Sequence, residues 1–307
     1  MPRWSGVFPA ITTKMRRDGA LDLEATQASI DRVISNGVSG VIVLPMLGEN
    51  ASLPANEKES VIRAAKEVVR GRVPLLSGLA EVSTENATHS ARQFASYGAE
   101  GLMVFPSLVY LTDRTETVSW YKAIASASDL PIMIYNNPIA YKVDVTPVIL
   151  RELADAPSIQ CIKEESGDIR RVTDIFNELG DRFAVFCGVD DLILESIALG
   201  VTGWVSGMTN VWPKECVGLF NACVQGRFAE ARKLYRLLTP AFHLDTHVKL
   251  VQYIKLAEHL VYGAPEWVRA PRLAITGEER RRVESIIRAT IADLEKLATQ
   301  ADLAEAH

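Results

Sequence analysis

Eight short apolar runs recur along the chain, at 6–11 (GVFPAI), 40–44 (GVIVL), 73–78 (VPLLSG), 101–105 (GLMVF), 131–135 (PIMIY), 158–163 (SIQCIK), 183–188 (FAVFCG) and 203–207 (GWVSG). They read as strands, and their starts lie about 20 to 34 residues apart, the size of one strand-plus-helix unit. Near-continuous apolar strands imply burial on both faces, hence a parallel sheet covered by helices. The segments between them carry helix punctuation. Pro147 stands at a first helical position in TPVILRELADA (146–156), and DDLILESIALG (190–200) starts acidic and ends on glycine. After residue 211 the strands stop. Three helical patterns follow, at 213–225, at 228–262 with a break near Pro240, and at 278–300.

Eight such units predict a (β/α)₈ TIM barrel over residues 1–225, with a C-terminal helical extension over 226–307 packed on it as one structural unit. The rival, a doubly wound sheet, often announces itself with a glycine-rich first turn, and TTKMRRDGALD has no G-x-G-x-x-G. Composition changes this picture little. A net charge of −5 gives no basic footprint for nucleic acid. No stretch of eighteen apolar residues argues for a membrane span, and MPRWSGVFPA has no apolar core of signal-peptide length. The four cysteines, Cys161, Cys187, Cys216 and Cys223, form no C-x-x-C pair and read as reduced thiols in a cytoplasmic protein.

The candidate chemistry begins with a lysine in an unwelcome place. Lys163 closes the sixth apolar run, and active-site groups of a barrel come from the C-terminal ends of its strands. Side chains alternate along a strand, so Cys161 and Lys163 share one face and Ile162 takes the other. If Ile162 meets the helices, the amine points into the barrel mouth. Desolvation disfavours an ammonium, and a neutral amine adds to a carbonyl to form a Schiff base. Position alone equally allows a strand-end lysine that is solvated or paired with Glu164 or Glu165. Tyr135, at the same end of the fifth strand, offers a phenol that could relay protons; alone it reads as an aromatic packed against a loop. Together, on neighbouring strands, the two residues strengthen each other.

The ordered set LGEN (47–50), YNNP (135–138), IKEESGD (162–168) and GVDD (188–191) resembles the dihydrodipicolinate synthase / N-acetylneuraminate lyase family over essentially the whole chain. The resemblance implies a (β/α)₈ barrel acting on 2-oxo acids through a lysine Schiff base, without a cofactor or metal, in tetramers of paired dimers. It implies that Lys163 is the Schiff-base lysine and Tyr135 the proton carrier, both catalytic. It further implies that Gly188 and Val205 line the pocket floor and that the loop after the second strand holds the substrate carboxylate.

That loop departs from the family's G-[TS]-T-G-E. Here Pro45, Met46 and Leu47 stand at its first three positions, so both hydroxyls are lost. The backbone amides of Met46 and Leu47 could still bind a carboxylate, but no threonine relays a proton. The synthase branch carries an arginine five residues after the tyrosine, where this chain has Ala140. Ser107 and Leu108 replace the aromatic pair after strand four, although Tyr110 is near. Losing a charge-assisted anchor costs on the order of 1.5–3 kcal/mol, which argues against the synthase's second substrate.

The stretches YNNPIAYKVDVTP, FCGVDDLILES and HLDTHVKLVQYIKLAEHL resemble the branch that deaminates 1-pyrroline-4-hydroxy-2-carboxylate in hydroxyproline degradation. The expected substrate is therefore a cyclic imine carboxylate, with a small 2-oxo acid behind it. The alternatives are a class I aldolase or dehydratase of a 2-keto-3-deoxy sugar acid, a dihydrodipicolinate synthase-like enzyme, and a non-catalytic 2-oxo-acid sensor. The sensor would need neither Lys163 nor Tyr135. HLDTH (243–247) reads as a capped helix start rather than a metal site, because it lacks the glutamate of H-E-x-x-H. EERRRVESIIR reads as a solvated helix face, and Trp204 and Trp212 as core or subunit-contact residues.

Overall fold

A computed structural model describes residues 4–305. All eight apolar runs form parallel strands: β1 (Gly6–Pro9), β2 (Val41–Val43), β3 (Leu75–Leu79), β4 (Gly101–Val104), β5 (Ile132–Asn136), β6 (Ile159–Glu164), β7 (Ala184–Cys187) and β8 (Gly203–Ser206). Their order runs β1-β8-β7-β6-β5-β4-β3-β2. The ring closes between β1 and β2 through a bridge from Ala10 to Ile42 and the hydrogen bond from Ile11 N to Ile42 O, 2.9 Å. The protein is thus a (β/α)₈ barrel with helices outside it and a long C-terminal helix, Gly277–Glu305.

The barrel interior is packed by pairing bulk with its absence. Phe8 on β1 meets Phe186 on β7 edge to face, with centroids 5.4 Å apart. Gly40 and Gly203 face these rings so closely that an added Cβ would stand 2.0 Å from the Phe8 ring and 2.2 Å from that of Phe186. A side chain at either glycine would expel the ring, which is why glycine stands at the start of β8 and just before β2.

The helical readings hold with two adjustments. Pro147 opens the helix Pro147–Leu153, and the segment 190–200 divides into a 3₁₀ turn, Asp190–Leu192, and a short helix, Ile193–Ala198. The break expected near Pro240 falls later. Pro240 sits within the last turn of Phe228–Phe242, and the chain runs through turns from 243 to 249 before Leu250–Tyr262 begins. A proline near a helix end removes only one backbone bond, so the helix continues for two residues beyond it. HLDTH is therefore not a capped helix start: Leu250–Tyr262 has no side-chain cap, and the segment reaches over the mouth of the barrel.

No helix among the described residues is long and apolar enough to cross a membrane. All four cysteines are free and buried. Trp204 is a core residue, fully buried. In the basic face at 278–288, Arg280 is bonded to Glu284 one turn on at 2.7 Å and also to Glu266, outside the helix, at 2.9 Å.

Candidate active site

Tyr135 and Lys163 are register partners on β5 and β6. A bulge produces this. Ile132 pairs with Ile159 but Met133 with Cys161, so Gln160 is an extra residue on β6. Were the strands paired one to one from Ile132 and Ile159, Tyr135 would face Ile162, and the phenol and amine would lie out of step. As built, the Lys163 ammonium lies 4.1 Å from the centre of the Tyr135 ring, and both side chains are almost wholly buried.

The amine does not stand alone. Its Nζ is 2.5 Å from Oε2 of Glu165, the pairing that position alone had allowed. Asn137 Nδ2 donates to Glu165 Oε1 (2.9 Å) and to the Tyr135 hydroxyl (3.2 Å), while Asn137 Oδ1 accepts from Ala140 N and caps the short helix Pro138–Tyr141. Asn136 works on the other face. It donates to Glu164 Oε2 at 2.8 Å and to Asp144 Oδ1 at 3.2 Å, and Asp144 is gripped by both arms of Arg171. The two asparagines of YNNP thus interlock with the two glutamates of IKEES, one pair at the site and one behind it. Burial, then the negative charge of Glu165, pushes the Tyr135 phenol well above its ordinary pKa, so it is a protonated donor at neutral pH.

Gly188 lies against the lysine stem. A Cβ there would come within 2.8 Å of Lys163 Cε and 2.9 Å of Glu165 Cβ. Its place is beneath the ammonium arm, which it seats, rather than in the open floor. Val205 does line the inner chamber, with Ala10, Pro45, Met46, Leu47, Met103, Tyr135, Lys163 and Glu165.

The loop bearing Met46 and Leu47 is held in a strained shape. Leu44 and Glu49 both have φ of 55°, a left-handed conformation that costs about 1–3 kcal/mol and persists only where the surroundings impose it. Asn50 Nδ2 donates to Leu44 O (2.9 Å) and Gly78 O (3.1 Å), and Thr13 Oγ1 donates to Gly48 O (2.8 Å). Lys255 grips Glu49 at 2.5 Å, and Arg269 N donates to its other oxygen at 2.9 Å. The next two backbone donors of the loop, Gly48 N and Glu49 N, turn back onto Pro45 O and Met46 O, while the amides of Met46 and Leu47 take no such turn bond.

An outer cleft of about 690 Å³ opens above the chamber, walled by Asn137, Ile139, Ala140, Val189, Asp191, His243, Asp245 and His247 among others. Four residues, Met46, Glu165, Asp245 and Leu250, belong to both spaces and form the neck between them. Three features escaped sequence reasoning. Tyr141 packs 5.7 Å from Tyr135 and 5.5 Å from Phe105, completing an aromatic cluster, whereas Tyr110 is exposed and bonded to Glu116. Asp190 of GVDD is buried under β8, accepting from Trp204 Nε1 (2.9 Å) and Met208 N (2.8 Å), and burial lifts its pKa to about 7. His243 and Asp245 reach the cleft from beyond the barrel, His243 Nδ1 lying 2.6 Å from Asp191. Among the described residues no three His, Cys, Asp or Glu side chains are grouped to hold a metal ion.

A buried amine and phenol in register at the mouth of a (β/α)₈ barrel are the outline of a lysine Schiff-base lyase. Comparison with known proteins places the chain within that class: residues 3–290 match the dihydrodipicolinate synthetase family. The protein belongs to this family and is a lyase of the Schiff-base, class I aldolase type. It is similar to the 4-hydroxy-tetrahydrodipicolinate synthase of Methanoculleus marisnigri, 35% identical over 250 residues that cover 80% of this chain and 86% of the relative. Among solved structures, YagE of E. coli K12, a prophage protein of the dihydrodipicolinic acid synthase family in complex with pyruvate, has 26% identity and a TM-score of 0.88 over 94% of this chain and 98% of its own. A monomeric dihydrodipicolinate synthase variant is as similar in fold, with a TM-score of 0.88 and 25% identity over 94% of this chain and 97% of the other, so family membership by itself does not fix the assembly.

Proposed function

We propose that the protein deaminates 1-pyrroline-4-hydroxy-2-carboxylate, giving 2,5-dioxopentanoate and ammonia. The carrying observation is the charge inventory of the site. Among the described residues that line the chamber and cleft, Lys163 is the one lysine or arginine, and Ala140 stands at the cleft wall with its amide bonded to Asn137. One carboxylate can be met by the Met46 and Leu47 amides; a second would find no further lysine or arginine among the described lining residues. Pro45, Met46, Leu47, Val205 and Ala10 give the remaining walls an apolar character suited to a small ring.

In this reading Glu165 accepts the Lys163 proton, and the free amine adds to C2 of the cyclic imine. The ring C2–N bond breaks, leaving a Schiff base on Lys163 and a primary amine on C5. Loss of a C3 proton gives an enamine, whose electron pair expels the C4 hydroxyl. Tautomerisation moves the unsaturation to a C5 imine, and water releases ammonia there and the dioxo acid from Lys163. Tyr135 supplies the buried proton donor, and Glu165, paired with the amine and joined to the phenol through Asn137, takes the relay position that Leu47 cannot fill. Support for these roles comes from the register pairing and the burial of the two residues.

The second reading, a 2-keto-3-deoxy sugar acid aldolase or dehydratase, shares every step up to the enamine. Product analysis separates the readings: ammonia with 2,5-dioxopentanoate from the pyrroline is expected, and pyruvate release would overturn the proposal. Borohydride with the pyrroline should fix an adduct on Lys163 that is absent in Lys163→Ala. Tyr135→Phe should lower kcat by about 100-fold or more while leaving thermal unfolding unchanged within a few degrees.

A further inference from the structure

Asp245 has no counterpart in the chemistry described so far. It lies in the turns between two C-terminal helices and enters the barrel mouth over Gly207, where an added Cβ would stand 2.2 Å from its Oδ1 and 3.0 Å from its Cγ. A glycine at 207 is thus the condition for this carboxyl to reach the chamber. There it lines the same space as Lys163, Tyr135 and Glu165 and also the outer cleft.

The other carboxyls around the site are committed. Glu165 holds Lys163 and Asn137, Glu164 accepts from Asn136 and Ser166, Asp190 accepts from Trp204 and Met208, and Asp191 faces His243. Among the described residues, the Asp245 side chain makes neither a hydrogen bond nor an ion pair. Burial, reinforced by the charges of Asp190 and Glu165 and opposed by Lys163, holds its pKa well above the ordinary carboxylate range. A carboxyl with no hydrogen-bond partner, set in the same chamber as the amine and phenol and with its protonated form favoured by burial, is placed to donate to a basic atom.

We propose that Asp245 protonates the leaving C4 oxygen of the Lys163-bound enamine, an assignment that rests on the deaminase reading above. The nitrogen lone pair of the enamine forms the C2=N bond, the C2=C3 pair moves to C3=C4, and the C4–O bond breaks. The oxygen takes the Asp245 proton and departs as water, leaving a conjugated iminium on Lys163 and a carboxylate at 245. That carboxylate then accepts a C5 proton in the tautomerisation that follows, which restores the acid. Retro-aldol cleavage needs the opposite group, a base to take the proton from the C4 hydroxyl, so this carboxyl directs the shared enamine toward elimination.

The test uses the full-length protein and the pyrroline. Asp245→Asn keeps the shape and loses the transferable proton. Ammonia release should fall by about 100-fold or more, while exchange of C3 hydrogen with solvent deuterium and borohydride trapping on Lys163 continue at wild-type rates. Asp245→Glu should recover part of the turnover. The 4-chloro analogue, whose chloride departs without a proton, should be eliminated by Asp245→Asn almost as fast as by the wild type; a merely structural role would not be rescued. Turnover of Asp245→Asn within about threefold of wild type, or loss of C3 exchange together with ammonia release in both variants, overturns the assignment. A wild-type protein that exchanges no C3 hydrogen and releases no ammonia overturns the deaminase reading itself, and the assignment with it.

Discussion

At the scale of single residues, the site depends on atoms that are missing as much as on those present. Lys163 reaches its position because Gly188 has no Cβ, and Asp245 because Gly207 has none. Gly188→Ala would press on both the Lys163 stem and Glu165 Cβ, at a stability cost of about 1–3 kcal/mol. The ammonium would be displaced by roughly 1 Å, and kcat should fall by about 100-fold. Steady-state kinetics beside the rate of borohydride trapping check this: both should fall together, because the displaced atom is the nucleophile. The residues legible in the sequence were those whose identity carries chemistry, Lys163 and Tyr135. Glu165, Asp245 and Tyr141 are ordinary residue types made special by where the chain brings them, and HLDTH looked like helix punctuation for the same reason.

At the scale of elements, the loop after β2 shows how a substrate clamp survives the loss of its side chains. Met46 and Leu47 offer only backbone, so the loop's shape must be imposed from outside, through Asn50, Thr13, Lys255 and Arg269. Asn50→Ala would strip the Leu44 and Gly78 carbonyls of a buried donor, costing about 1–3 kcal/mol of stability. With the left-handed Leu44 free to relax, KM for the carboxylate substrate should rise several-fold with a smaller change in kcat. Urea unfolding and initial rates on the same preparation test both halves. The strands themselves were legible because burial on both faces writes a run of apolar letters. The bulge at Gln160, which sets Tyr135 opposite Lys163, was not, because an extra residue shows only against the partner strand.

At the scale of the whole molecule, the C-terminal helices are tied to the barrel by charges that water does not reach. Lys14, after β1, pairs with Glu258 on Leu250–Tyr262, Thr12 donates to the same carboxylate at 2.6 Å, and Lys255 joins Glu49 one turn earlier. All four charged side chains are fully buried. Desolvation outweighs the attraction of Glu258 and lowers the Lys14 pKa from 10.5 to about 8. The folded state therefore binds fewer protons at this site than the unfolded state between about pH 8 and 10.5, so Lys14's contribution favours folding increasingly as pH rises through that window. Relative to Lys14→Met, the wild-type protein should gain stability from pH 7.5 to pH 10, as read by chemical unfolding at both values; a flat difference would contradict the assignment. Replacing the pair together, Lys14→Met with Glu258→Leu, should leave stability at pH 7 unchanged or raised, since desolvating two charges costs what their attraction returns.

The sequence by itself determined the eight strands, their parallel covering by helices and the candidate amine and phenol, because burial and reactive chemistry are written in residue type and spacing. Only the tertiary structure decided what surrounds that amine: the glutamate that pairs with it, the glycine that seats it and the aspartate brought in from some eighty residues downstream. Contacts of that kind are set by the closure of the ring and the return of the C-terminal helices across its mouth. A chain read in order holds no local trace of a neighbour that arrives from its other end.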